Sequence, residues 1–229
     1  MKSKLLQRTK FLGSTLILAA LLACNPVQQS KAQQPGSPAA SAAPATGAVT
    51  YVAQPIGSKM RIEGGSNIHD WSMESLVVGG AIDADAGFPE SALTDPKAAK
   101  ATVHAFTPVR SFKSNSKVMD ERMQTTMKEP QFKRIEYKLT ELKPKSPAGA
   151  TGPLQFDATG ELTIAGKTQT ITMPVTIEKK DGKLKVTGSV ALKMTEFGVE
   201  PPSLTIAGIG LKTYDPVKIT FEWVLAPKA

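Results

Sequence analysis

Few residues in this chain could do chemistry. Cys24 is the only thiol, His69 and His104 are the only imidazoles, and Ser66, His69 and Asp70 stand close enough to suggest a nucleophile, a base and an orienting acid. Extended geometry argues against that set. Neighbours on a strand project from opposite faces, so Asp70 would not orient the His69 imidazole, and no strand–turn–helix elbow surrounds Ser66. Two histidines without a spaced cluster of Cys, His, Asp or Glu do not make a metal site. Glu63-Gly64-Gly65-Ser66 has the glycines of a phosphate loop but neither its Lys-Ser/Thr ending nor a following helix. Those glycines are expected to allow a bulge or sharp bend in the first strand. The chain therefore reads as a non-enzyme with no catalytic residues, metal or obligatory cofactor.

The remaining reactive group, Cys24, has a definite context. Lys2, Lys4, Arg8 and Lys10 precede an almost wholly apolar run, Phe11 to Leu22, that is closed by Leu21-Leu22-Ala23-Cys24. Twelve residues at 1.5 Å each do not span about 30 Å of hydrocarbon, so the run is a secretory signal rather than a membrane span. The closing tetrapeptide resembles a lipobox, in which the thiol is diacylated and the chain is cut before the cysteine. Residues 1–23 are then a lipoprotein signal peptide and Cys24 a lipid anchor, firm because two or three acyl chains bind a membrane where one is marginal. Acylation leaves no free thiol for a disulfide or a metal. The leader holds four of the 28 basic residues and none of the 20 acids, so the formal charge falls from +8 to +4 on processing, and a nucleic-acid partner loses its main support. Residues 24–50, rich in Gln, Pro, Ala, Ser and Gly with Lys31 as the one charge, read as a flexible linker. The expected location is the cell envelope, anchored and facing the periplasm. The absence of an aspartate after Cys24 favours the outer membrane.

Residues 51–229 are long enough for one β-barrel or sandwich domain. Their dominant period is two. Met60 and Ile62 alternate with Lys59, Arg61 and Glu63; Ile135, Tyr137 and Leu139 with Arg134, Glu136 and Lys138; and Ile171, Met173, Val175 and Ile177 with Thr170, Thr172, Pro174 and Thr176. The same alternation runs from Leu184 to Met194 and from Val217 to Leu225. Ala165-Gly166-Lys167 and Lys180-Asp181-Gly182-Lys183 carry the chemistry of tight turns, so neighbouring strands pair antiparallel. Such strands must stack as two sheets or close on themselves; closure removes the exposed edges, which makes an all-β antiparallel barrel of about eight strands the expectation. One stretch breaks the pattern. Val118 to Glu129 reads as a short helical insertion, with Asp120 and Glu121 in its first turn and Pro130 ending it. Met119, Met123 and Met127 form a stripe along it, either plugging one mouth of the barrel or serving as a deformable lid over an apolar ligand. Barrels of this size can hold one small ligand inside.

The blocks Glu63 to Trp71, Gly160 to Val175, Met194 to Pro202 and Asp215 to Glu222, in that order, together resemble the YceI-like family. Glu63-Gly64-Gly65-Ser66-Asn67-Ile68-His69-Asp70-Trp71 is similar to its opening. The run Gly160 to Thr168 with the Ile171 to Val175 strand resembles its central hairpin, Met194 to Pro202 its late loop, and Asp215 to Glu222 its closing strand. The resemblance implies an extended, lipocalin-like barrel whose members in some cases hold a polyisoprenoid or similar amphiphile. On that footing Trp71, Phe132, Phe156, Met173, Phe221 and Trp223 are candidates for the lumen, with Met119, Met123 and Met127 closing it. His69 is expected to donate a hydrogen bond that fixes a strand end, and any binding role for it would be toward a quinone-like head group.

The leading functional expectation is thus an envelope lipoprotein that binds an isoprenoid or similar amphiphilic lipid for storage or transport. The alternative is a non-enzymatic scaffold or stress protein with a packed barrel that docks a membrane partner. A wide, dry cavity would favour the first and a filled lumen the second, while an exposed cleft holding His69 beside Ser66 would revive an enzyme.

Overall fold

The computed structural model describes residues 47–95, 101–206 and 209–228. The expected signal peptide, Cys24 and nearly all of the expected linker lie outside the described residues. Among the described residues eleven strands are formed: β1 (Ala48–Ala53), β2 (Lys59–Ser66), β3 (Trp71–Ser75), β4 (Gly79–Asp85), β5 (Thr102–Pro108), β6 (Arg134–Pro144), β7 (Leu154–Ile164), β8 (Lys167–Lys180), β9 (Lys183–Lys193), β10 (Ser203–Ile206) and β11 (Ile209–Pro227). Eight of them close an antiparallel ring in the order β1, β4, β5, β6, β7, β8, β9, β11 and back to β1. The fold is the expected all-β barrel.

The other three strands lengthen its wall. The nineteen-residue β11 pairs with β1 near its end, with β2 along its middle and with β10 at its start. β1 and β2 therefore act as one interrupted stave. Where the chain leaves the sheet between them, the Val224 amide is satisfied by the Ser58 hydroxyl (3.0 Å) and the Val224 carbonyl by the Gln54 amide (2.8 Å). β3 in turn pairs with β2 and carries the wall beyond β4.

Alternation places Leu154, Phe156, Ala158, Leu162 and Ile164 of β7 inside. The two tight turns have the backbone their sequences require. Ala165 and Gly166 (φ 48° and 81°), and Asp181 and Gly182 (φ 51° and 74°), occupy the left-handed region at both central positions. The irregularity expected at Gly64-Gly65 falls instead on the partner strand, where the register shifts between Thr213 and Val217 of β11. Asp215 braces that departure by accepting from the Thr195 amide (2.9 Å) and hydroxyl (2.7 Å); these bonds hold its carboxyl below the usual carboxylate range.

Besides a single turn, α1 (Ser91–Thr94), the chain forms the expected insertion as α2 (Lys117–Thr126). Its Ser116 cap accepts from the Met119 amide at 3.4 Å. The helix ends earlier than Pro130 would end it, because Lys128 turns into the left-handed region (φ 53°) after the Met127 amide has bonded the Met123 carbonyl.

Candidate functional site

Glycines shape the inside of the barrel. The Trp71 ring lies over Gly64, Phe221 over Gly188 and Tyr137 over Gly160, so that a methyl group at Gly188 would fall 2.7 Å from the Phe221 ring and one at Gly160 2.6 Å from the Tyr137 hydroxyl. An aromatic side chain seated over a glycine of the adjacent strand fills the missing volume there and leaves the middle of the barrel open.

What remains open is a lumen in two parts. The outer cavity, about 370 Å³, is walled by residues such as Ile62, Met73, Ile164, Leu192 and Val217. The inner one, about 100 Å³, lies against Ala158, Met173, Val186, Phe221 and Trp223. Ile135 and Ile219 belong to both walls, so the two adjoin. Phe88, which lines the inner cavity, and Leu154, Leu184 and Leu225 are fully buried in one packed cluster that closes that end. At the other end, Arg122, Lys193, Ser116 and Thr126 form a polar rim around apolar walls.

Over that rim lies α2, strapped at both ends. Before it, the Lys113 amide and carbonyl bond Glu74 of β3 (2.8 and 2.9 Å), and Asp120 accepts from the Ser114 amide (2.7 Å) and hydroxyl (2.8 Å) with the Lys113 ammonium at 3.7 Å. After it, the buried Glu129 carboxylate takes a 2.7 Å bond from Arg110. Burial of Asp120 disfavours its charge, yet the Ser114 bonds and the Lys113 charge outweigh that and hold its carboxyl below the ordinary 3.8. A depressed carboxyl contributes stability that is present above its unfolded-state value and is lost as the pH falls through the folded one. Asp120→Asn is therefore expected to melt lower than the parent protein at pH 6, with the gap closing as the pH is taken toward 3; thermal unfolding at a series of pH values checks it, and a gap independent of pH would remove the charge from the account.

A family model described as a YceI-like domain matches residues 51–225. The chain belongs to the YceI-like family. The fold agrees with solved structures: BcnA of Burkholderia cenocepacia is 20% identical, with a TM-score of 0.59 over 75% of this chain and 98% of that one. A polyisoprenoid binding domain from Saccharophagus degradans, implicated in plant cell wall breakdown, is 12% identical, with a TM-score of 0.57 over 78% of this chain and 98% of that one. A comparison with curated protein sequences returned no match.

Within the YceI-like domain the candidate residues fall into three places. Trp71, Met119, Met123, Met127 and His69 line the outer cavity, and the Trp71 indole donates to the Gly65 carbonyl at 3.2 Å. Met173, Phe221 and Trp223 line the inner cavity. Phe156 is wholly buried and borders neither, and Phe132 packs over Gly166 of the β7–β8 turn. His69 and Ser66 are neighbours at the outer rim, Ser66 ending β2 and His69 lying in the tight connection to β3. Even so they form no nucleophile–base pair. The Ser66 hydroxyl donates to the His69 carbonyl (2.7 Å) and accepts from the Ile68 and His69 amides, while His69 Nδ1 faces the Asp70 carbonyl at 2.9 Å, just before β3. Among the described residues no group of His, Cys, Asp and Glu could hold a metal.

Sequence reasoning passed over Arg122 and Tyr137. Arg122 follows Met119 by three residues and so shares the helix face that overlooks the cavity. Tyr137 stood in the inward phase of β6, and the structure buries its hydroxyl. That burial pushes its pKa up to about 12.

Proposed function

We propose that this protein is an envelope lipoprotein, anchored through acylated Cys24 and facing the periplasm, preferentially at the outer membrane. Its barrel holds an isoprenoid or similar amphiphilic lipid for storage or transport. The observation that carries the reading is the outer cavity: about 370 Å³ of apolar space, within the range of small-molecule sites, beneath a methionine-faced helix. A scaffold with a filled barrel has no use for such a space, since unfilled volume in a core lowers stability. Membership of the YceI-like family and the polyisoprenoid-binding character of the Saccharophagus degradans domain point the same way.

The test uses the full chain and its Cys24→Ser variant. Native mass spectrometry followed by solvent extraction of the variant, purified without detergent, is expected to release a long-chain lipid. Added isoprenoid is expected to raise the melting temperature, because a ligand that binds only the folded state stabilises it. The variant is also expected to leave the membrane fraction in which the parent chain is found. No co-purified lipid together with an unchanged melting temperature would dispose of the lipid-binding reading; retention of the variant in membranes would dispose of the anchor.

A further inference from the structure

The mouth of the outer cavity is apolar toward the solvent as well as toward the lumen. Three segments meet there: the connection between β2 and β3 with Ser66 and His69, the start of α2 with Ser116 and Val118, and the start of β11 with Leu211 and Thr213. Asn67 fastens the first to the third, donating to the Gly210 carbonyl (2.8 Å) and accepting from the Lys212 amide (2.8 Å). On this rim Ile68 is 54% and Val118 68% exposed, and the half-exposed Tyr214 lies against Gly65 beside it. The hairpin of β10 with β11 runs past Ser66, the last residue of β2, and its residues 203–206 and 209–211 carry no charge. A lone exposed aliphatic residue is ordinary, but a group of them around the opening of an apolar cavity marks a surface that something apolar covers.

We propose that the mouth docks on a lipid bilayer, the membrane that holds Cys24, with Ile68 and Val118 entering the interface and Tyr214 at head-group level, where tyrosines are favoured. This rests on the lipid-binding reading and the anchor above, and adds the surface through which the barrel is loaded. A long-chain lipid that left a bilayer for the cavity through water would expose every methylene on the way; contact between mouth and bilayer removes that gap. The charges around the rim are of both signs, Arg122, Lys193 and Lys212 against Asp70, Glu196 and Asp215, so the contact is apolar and not electrostatic. Chain length permits it. Residue 47 lies at the closed end, where the Ala86 amide bonds the Gly47 carbonyl and Tyr51 pairs with Pro227. From Pro227 to Thr213 at the mouth, β11 covers about 45 Å at 3.3 Å per residue. The stretch between Cys24 and Gly47 can extend to about 75 Å, enough for the mouth to reach the bilayer that the anchor enters.

Cys24 is the only thiol of the chain, so once it is acylated an introduced cysteine is the one site a thiol-reactive dye can label. Ile68→Cys at the mouth and Ile56→Cys, an exposed position beside Val224 toward the closed end, are each labelled with a polarity-sensitive nitrobenzoxadiazole. The full acylated chains are placed in vesicles of phosphatidylethanolamine and phosphatidylglycerol. The dye at residue 68 is expected to shift to the blue and to be quenched by brominated lipids, the dye at residue 56 to behave as in water, and high salt to change neither. Ile68→Asp, whose side chain does not line the cavity, is expected to take up geranylgeraniol from the vesicles at least about fivefold more slowly, with the amount bound at equilibrium unchanged. Both dyes in water, or uptake by Ile68→Asp at the parental rate, would overturn the docking and leave lipid binding standing. A blue shift at residue 68 without quenching by the brominated lipids would mean that a second copy covers the mouth, and would overturn it too. If the parent chain takes up no geranylgeraniol, the proposed function falls and this inference with it.

Discussion

Leu192→Trp is expected to weaken binding of a long isoprenoid at least about tenfold while moving the melting temperature of the lipid-free protein by no more than a few degrees. Leu192 is buried on β9, opposite Val217 of β11, and forms part of the outer cavity wall. Enlarging a core residue ordinarily costs about 1–3 kcal/mol, because neighbours must move. Here the added ring has open space before it, and the strain is correspondingly small. The ligand loses that space instead. Displacing two methylenes at about 0.8 kcal/mol each is enough for more than a factor of ten in affinity. Ala191→Trp, on the outward face of the same strand, is the matched control and should bind as the parent does. Retention of lipid by Leu192→Trp at parental affinity would place the ligand somewhere other than the lumen.

The same wall shows what could be read in the sequence. Period-two alternation on β8, β9 and β11 was enough to assign which residues point inward, because the barrel has one wet face and one dry one and a slip of one residue would exchange them. The Asp181-Gly182 turn was legible for a similarly local reason, since few residue pairs accept two positive φ angles; at Ala165-Gly166 only the glycine signals the turn, and Ala165 takes its φ of 48° against its own preference. Long-range register was not legible. On β6 the pairing with β7 shifts between Leu139 and Glu141, so Leu139 and Leu142 are both buried and the phase read from Ile135 to Leu139 does not continue. The interruption of the first stave was equally hidden, since it depends on the Ser58 hydroxyl meeting an amide 166 residues away.

The site was legible in kind more than in detail. A methionine stripe at four-residue spacing marked α2, and five of the candidate residues border the outer cavity. Size and hydrophobicity alone could not separate Phe156 from Phe221: both point inward, but one is packed in the closed end and the other faces open space. That distinction is made by Gly188, whose missing side chain lets the Phe221 ring lie along the wall. Gly64 and Gly65 carried a comparable message. They were read as a source of backbone freedom; what they supply is room for the Trp71 ring and a carbonyl for its indole.

Two of these glycines should respond very differently to the same kind of change. At Gly160 a Cβ would press on the Lys138 carbonyl of the neighbouring backbone as well as on the Tyr137 ring, whereas at Gly188 its first contacts are with the Phe221 ring, with the Pro174 carbonyl at 3.1 Å. A ring can turn away, but a backbone carbonyl within a ladder cannot move without breaking the pairing of β6 with β7. Gly160→Val is therefore expected to destabilise the barrel by about 3 kcal/mol or more, which for a domain of this size lowers the melting temperature by roughly 6–12 °C. Adding Tyr137→Ala should recover little of it, because the ring is only half of the obstruction. Gly188→Ala should cost about 1–2 kcal/mol, most of it restored by Phe221→Leu, which withdraws the ring. Double-mutant cycles on thermal unfolding read both couplings. A strong rescue at Gly160 and none at Gly188 would reverse the assignment of which glycine serves the backbone and which serves the lumen.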